Sequence, residues 1–463
     1  MIRYHARWVL PISAPPIENG TVSVADGRIS YVGPRANAPR GSDVALGDAL
    51  LMPGLVNAHT HLELTVMRGF LEDLDFAQWI VRLNAVKRAV LDRDRMLDAA
   101  RLGLVEGVRH GITTYADTCD SGVAFDAMLE AGVRGIMYQE VFGPDPAQCI
   151  ASMDGLREKV DAARPRQTSL VRIGVSPHAP YTVSDALYAA VAEYAKREGL
   201  PVAVHIAESE TERQLVEDGD GVFATGLRKR GITVVPRGRS SIEVLRKTGV
   251  LDARPLLIHC VRVDQHDIEA IALSSAPVAH CPISNAKLGH GTAPLLELLD
   301  AAITVGIGSD SVASNNRMDV LAEARAALLA QRARVARHDA LCARDALFLA
   351  TLGGAMALGL ENEIGSLDVG KSADLAAFPL DGAAQPVHDP EAAAIFALPG
   401  TAASFVAVAG RELVRDGKLL NVDADLPSRV EATAVLMREW ARSNTQADAG
   451  PSERTRTGHH AGS

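Results

Sequence analysis

The sequence predicts an α/β fold: a (β/α)8 TIM barrel with a small β-sandwich domain formed from both chain ends. Three observations predict it. Between residues 51 and 309, eight short apolar runs alternate with longer helical stretches. Uninterrupted apolar runs imply strands covered on both faces, and a count of eight favours a closed barrel over an open sheet. Outside this region both flanks read as short strands with glycine turns, which can pair into one β domain. The 463 residues suffice for a large core plus a smaller domain.

The first element is a hairpin. Residues 21–33 hold two alternating runs around Asp26-Gly27, a strong tight-turn signal. The eight barrel strands are expected at 51–58, 112–116, 133–140, 171–176, 201–206, 255–261, 276–281 and 303–309. A long excursion separates the first two and carries Arg68, Trp79, Arg82 and Arg88, enough chain to cover the barrel mouth. The expected division is a composite β-sandwich over 1–52 and 361–425, a catalytic barrel over 53–360, a C-terminal helix over 426–443 and a disordered tail over 444–463.

Composition narrows the function. With 47% hydrophobic and 22% charged residues the chain is globular, and its net charge of −10 without a Lys/Arg block argues against nucleic acid as partner. No apolar stretch reaches the roughly 18 to 20 residues of a membrane span, and Pro11 interrupts the short N-terminal apolar run. A cytoplasmic protein with a small-molecule partner is expected, with a homo-oligomer left open. Five cysteines without a C-x-x-C spacing read as reduced thiols.

Chemistry-bearing residues collect where the strands end. His59 and His61 stand two apart at the end of the first strand, so both point one way into the mouth. His205 ends the fifth strand and Asp310 the eighth. Three imidazoles and a carboxylate suit Zn or Fe(II) and leave a position for water. The fourth strand has no lysine to bridge a second ion, which favours one divalent metal per chain. Glu208, just past His205, is the expected proton shuttle, and His259, ending the sixth strand, is placed with Asp310 to orient the attacking water. His178 faces the same mouth between two prolines and reads as either a loop-shaping residue or a substrate contact. Cys260 and Cys281 are expected to pack between barrel and helices. The loop Gly289-His290-Gly291 reads as a substrate contact or as ordinary surface.

These motifs resemble the amidohydrolase superfamily: Pro53 to His61, His205 with Glu208, Ile258-His259-Cys260, Cys281 to Asn285, Gly308 to Ser311 and Gly370 to Leu375. Within it the chain is similar to the branch of S-adenosylhomocysteine and methylthioadenosine deaminases, aminofutalosine deaminases and triazine chlorohydrolases. Residues 59–64 and 176–184 look most like the aminofutalosine deaminases. The resemblance implies that His59, His61, His205 and Asp310 bind the metal while Glu208 and His259 serve proton transfer and polarisation. It places Trp79 beside the substrate; Arg88, near a position that is acidic in the adenosylhomocysteine deaminases, is expected as a further substrate contact, an arginine able to pair with a carboxylate. The implied activity is hydrolytic deamination of an aminopurine nucleoside with release of ammonia, 6-aminodeoxyfutalosine first. The alternatives are adenosylhomocysteine or methylthioadenosine as substrate, or hydrolysis of a triazine-like ring. A barrel that only binds has no need of Glu208 above the metal.

Overall fold

The computed structural model describes residues 1–448. Eight parallel strands form two four-stranded sheets. The first contains β6 (Leu55–Thr60), β7 (Ile112–Cys119), β8 (Arg134–Val141) and β9 (Val171–Pro177). The second contains β10 (Ala203–Ile206), β11 (Leu256–His259), β12 (Val278–His280) and β13 (Val305–Ile307). Parallel bridges Val175 to Val202 and Thr60 to Asp310 join the two sheets at both seams, so strand adjacency runs the whole way round. Val56, Ala58, Ala116, Tyr138, Ile258 and Ala279, from five strands, meet in one internal cluster. Their outward neighbours, Leu55, Met137, Leu257 and Val278 among them, join the surrounding helices in another. The strands are apolar on both sides because both sides are covered. Cys260 joins the outer cluster as expected, whereas Cys281 belongs to the internal one, packed beside Val56 and Ala58.

The two flanks meet in a nine-stranded sheet. Its N-terminal strands are β1 (Ile2–Val9), β2 (Ile17–Ala25), β3 (Arg28–Pro34), β4 (Ser42–Ala45) and β5 (Ala49–Pro53). Its C-terminal strands are β14 (Leu375–Pro379), β15 (Phe405–Val408), β16 (Arg411–Arg415) and β17 (Lys418–Leu419). The order is β17-β16-β15-β14-β5-β1-β2-β3, with β4 also pairing β1. Asp26 and Gly27 make the expected turn, both with positive φ. Where two stacked sheets were expected, hydrogen bonding is continuous through the β5 to β14 pair. Tyr4 on β1 and Phe405 on β15 have two strands between them, about 14 Å in a flat sheet at ~4.8 Å per strand. Their rings lie 4.7 Å apart, so the single sheet curls over and closes its own core. Buried Arg134 of β8 clamps Asp374 with Nε and Nη2 at 2.8 and 3.1 Å, tying this sheet to the ring.

The excursion between β6 and β7 folds into two helices, Phe76–Val90 and Arg93–Arg109, each N-capped by an aspartate, Asp75 and Asp92. The C-terminal helix runs Leu426–Asp448, into the stretch expected as tail. Residues 449–463 of that expected tail lie outside the described residues. Met437 of this helix is buried in the cluster that holds Phe76 and Trp79, and Arg429 hydrogen-bonds Asp98. No helix among the described residues is long and apolar enough to cross a membrane.

Candidate metal centre and active site

The first strand reaches the mouth through a break in register. Val56 and Ala58 face inside, so strict alternation would send His59 outward. Asn57 pairs with Tyr115, but Thr60 pairs with Asp117, which leaves an extra residue on β6. That bulge re-aims the strand, and His59 and His61 both turn into the mouth. Gly308 makes room for them: a Cβ there would stand 2.9 Å from the His59 Cβ. Other strands end on left-handed residues, Ala207 (φ 51°), His259 (φ 79°) and Asp310 (φ 56°), conformations that non-glycine residues hold at some cost and that cluster at functional sites.

These turns bring His59, His61, His205 and Asp310 together. The Nε2 atoms of His61 and His205 are 3.2 Å apart. Asp310 Oδ1 lies 3.2 Å from His59 Nε2 and 3.6 Å from His61 Nε2. The other Asp310 oxygen accepts from Ser284 and Ser314. His61 Nδ1 points at the Thr118 carbonyl (3.0 Å) and His205 Nδ1 at the His178 carbonyl (3.3 Å). A carbonyl only accepts, so each Nδ1 carries the hydrogen and each Nε2 is bare. Two bare nitrogens facing each other repel unless a cation sits between them, and buried His59 Nε2 likewise has no hydrogen-bond partner. Burial pushes the imidazoles down, His61 to about 4, keeping them neutral. Asp310 stays ionised because His59 and His259 outweigh its own burial. Neutral imidazoles and a charged carboxylate are the donor set a divalent cation takes.

Glu208 stands beside this cluster, 4% exposed. Its Oε1 is 3.6 Å from His259 Nε2 and 3.2 Å from His290 Nε2. Burial works to raise the Glu208 carboxyl, but the two histidines win and hold it below the ordinary range. The turn that presents it is held by Glu212, whose carboxylate accepts from the Ala207 and Glu208 amides. His259 Nδ1 is fixed by Asn285 Oδ1 at 3.0 Å. His290 was only an open possibility in the sequence. Gly289 and Gly291 on either side both take positive φ and turn it inward, against the edge of Phe76 (4.5 Å).

The expected substrate contacts divide. His178 lines the mouth, its ring 4.8 Å from that of His205. Trp79 is buried in the covering helix beside Phe76, with its indole N–H unpartnered. Arg88 does not join them: it lies on the exposed face of that helix. A helix turns about 100° per residue, and it is the preceding Lys87 that turns inward, to Glu63. Glu63 also accepts from Ser121 and Cys119, and these contacts hold it at about 2 against the upward push of burial. Glu140, at the top of β8, has an oxygen with no partner; burial and the Glu63 charge push it up to about 8 despite Lys87. Neither Lys87 nor Glu140 was singled out from sequence.

Residues 50–413 match the amidohydrolase family. The chain belongs to that family. A 5-methylthioadenosine/S-adenosylhomocysteine deaminase of Moorella thermoacetica is 34% identical over 90% of this amidohydrolase and 95% of its own length. An adenosine deaminase from Xanthomonas campestris, solved with bound zinc, superposes with a TM-score of 0.83 at 29% identity, covering 96% of this chain and 98% of that one. The aminofutalosine deaminase of Helicobacter pylori shares the fold, with a TM-score of 0.78 at 20% identity over 89% of this chain and all of its own.

Proposed function

We propose that this amidohydrolase is a hydrolytic deaminase of a 6-aminopurine nucleoside that uses one divalent metal per chain. Its catalytic unit is a (β/α)8 barrel over 53–360, with a composite β domain over 1–52 and 361–425. The observation that carries the reading is the pair of bare Nε2 atoms on His61 and His205, 3.2 Å apart, beside a Glu208 held ionised by His259 and His290. His59, His61, His205 and Asp310 would hold the ion, Zn or Fe(II), which when bound supplies Lewis-acid activation of water.

The protein's own groups supply the rest. Glu208, ionised and desolvated, takes a proton from the attacking water and hands one to the ring nitrogen beside the carbon under attack. His259, anchored through Nδ1, directs its other nitrogen toward the incoming oxygen. Ammonia leaves and the ring carbon keeps the oxygen. Phe76, Trp79 and Tyr181 give the mouth an aromatic wall suited to a flat base. The names of the relatives support a nucleoside with a 5′ substituent; the strand-end motifs put 6-aminodeoxyfutalosine first, with methylthioadenosine and adenosylhomocysteine as its rivals.

The test is ammonia release by the metal-loaded protein from aminodeoxyfutalosine, methylthioadenosine, adenosylhomocysteine, adenosine, guanine and a chlorotriazine. One of the 6-aminopurine nucleosides should give the highest kcat/KM. Guanine or the chlorotriazine turning over best would overturn the proposal.

A further inference from the structure

Glu140 is a buried carboxyl at the mouth that its neighbours leave unsatisfied. It occupies the inward register of β8, two residues beyond Tyr138 of the internal cluster, and is 6% exposed. Its Oε1 has no hydrogen-bond partner. A buried carboxyl oxygen left unpaired costs free energy, and a cavity that keeps one is incomplete without the group that pairs with it.

His178 stands next to it, with Nε2 3.9 Å from that oxygen. The Thr182 hydroxyl donates to the Ala179 carbonyl, so its lone pairs accept from His178 Nδ1–H at 2.8 Å. His178 Nε2 is therefore bare and accepts. Two acceptors thus converge at the mouth, both within 4.8 Å of a His205 ring nitrogen.

We propose that Glu140 and His178 form the subsite that takes the sugar hydroxyls of the substrate, an inference that rests on the nucleoside reading above. The ligand's chemistry leaves little else for them to bind. In a 6-aminopurine nucleoside N1, N3 and N7 are all acceptors, and the amine hydrogens leave with the nitrogen at the metal. The remaining donors are the hydroxyls of the sugar. A hydroxyl also suits a carboxyl in either form, donating to the carboxylate or exchanging a donated and an accepted bond with the acid. Lys87 spends its ammonium on Glu63, and Glu140 Oε1 receives no hydrogen bond from it.

The experiment compares a turned-over 6-aminopurine ribonucleoside with its 2′,3′-dideoxy analogue in the wild type and in Glu140→Gln, which preserves volume. Metal content and thermal midpoint are measured for both proteins. The wild type should prefer the ribonucleoside by about fivefold to thirtyfold, the usual worth of one or two hydrogen bonds to a neutral carboxyl. Glu140→Gln should lose most of that preference through the ribonucleoside alone, leaving the dideoxy substrate within about twofold. Inosine binding, followed by calorimetry, should weaken in parallel. Equal losses on both substrates, or an unchanged preference, would overturn the subsite while leaving the deaminase reading intact. A wild type that turns over no nucleoside overturns both. If the wild type holds two ions and the variant one, Glu140 is a metal ligand and the proposal fails.

Discussion

Glu208 and Glu140 stand at strand ends of the same mouth and are almost equally buried, 4% and 6% exposed, yet their carboxyls are displaced in opposite directions. Around Glu208 the neighbours are His259 and His290, and the charge is held. Around Glu140 no histidine opposes burial, Lys87 pulls the carboxyl down less than burial lifts it, Glu63 adds a smaller push, and the carboxyl rises to about 8. Burial lifts both carboxyls; only where two histidines face the group is that lift overcome. One region keeps a carboxylate ionised beside the histidine cluster, the other leaves a polar oxygen available.

The sharpest way to break this division is to remove a group from the first region. His61→Ala should abolish tight metal binding and turnover together, read by elemental analysis of dialysed protein and by ammonia release. Retention of a full complement of metal would dissolve the quartet. Glu208→Gln should keep the metal and lose roughly a hundredfold to ten-thousandfold in kcat, the range for proton transfer. Near-normal turnover with metal intact would strip Glu208 of its role.

The second region should answer in stability first. Lys87→Met strands the Glu63 charge in a buried site and should cost about 3 kcal/mol at neutral pH, measured by denaturant unfolding. The Glu63 carboxyl is held at about 2, below its ordinary 4.5, so its contribution is present above pH 4.5 and lost as pH falls through 2. The gap between wild type and variant should narrow from pH 5 toward 3. A gap that widens instead would mean that Glu63 is not ionised in the fold. The smallest effect belongs to Arg88→Ala: stability should move by less than about 0.5 kcal/mol and kcat/KM by less than about twofold, since the side chain faces solvent. A tenfold loss would return Arg88 to the substrate.

Where sequence and structure agree and where they part follows the same logic. Each of the eight apolar runs overlaps a ring strand, because a buried parallel strand leaves a continuous apolar signature, although the first run begins in β5 of the other sheet. The convergence of His59, His61, His205 and Asp310 was legible because strand ends collect in space. The bulge that aims the first pair was not, since nothing in residues 53–61 announces an extra residue. The resemblance singles out Arg88 by its place in the chain, whereas helical phase, one residue earlier, turns Lys87 inward and leaves Arg88 to solvent. Glu140 ends an apolar run like any carboxylate, and only its missing partner marks it. The curled sheet was read as two because strand patterns alone do not say which edges meet.

That sheet also constrains how the chain is made. β5 lies between β1 and β14, so one of its edges has no partner until Leu375–Pro379 leaves the ribosome. At ordinary synthesis rates the wait is on the order of tens of seconds. Through that interval β5 presents an open edge of the kind that pairs with other chains, while the catalytic ring is already being threaded. The last fifth of the chain thus acts as the clasp of its beginning. A nascent protein stalled before residue 375 would be the aggregation-prone species, however complete its eight ring strands.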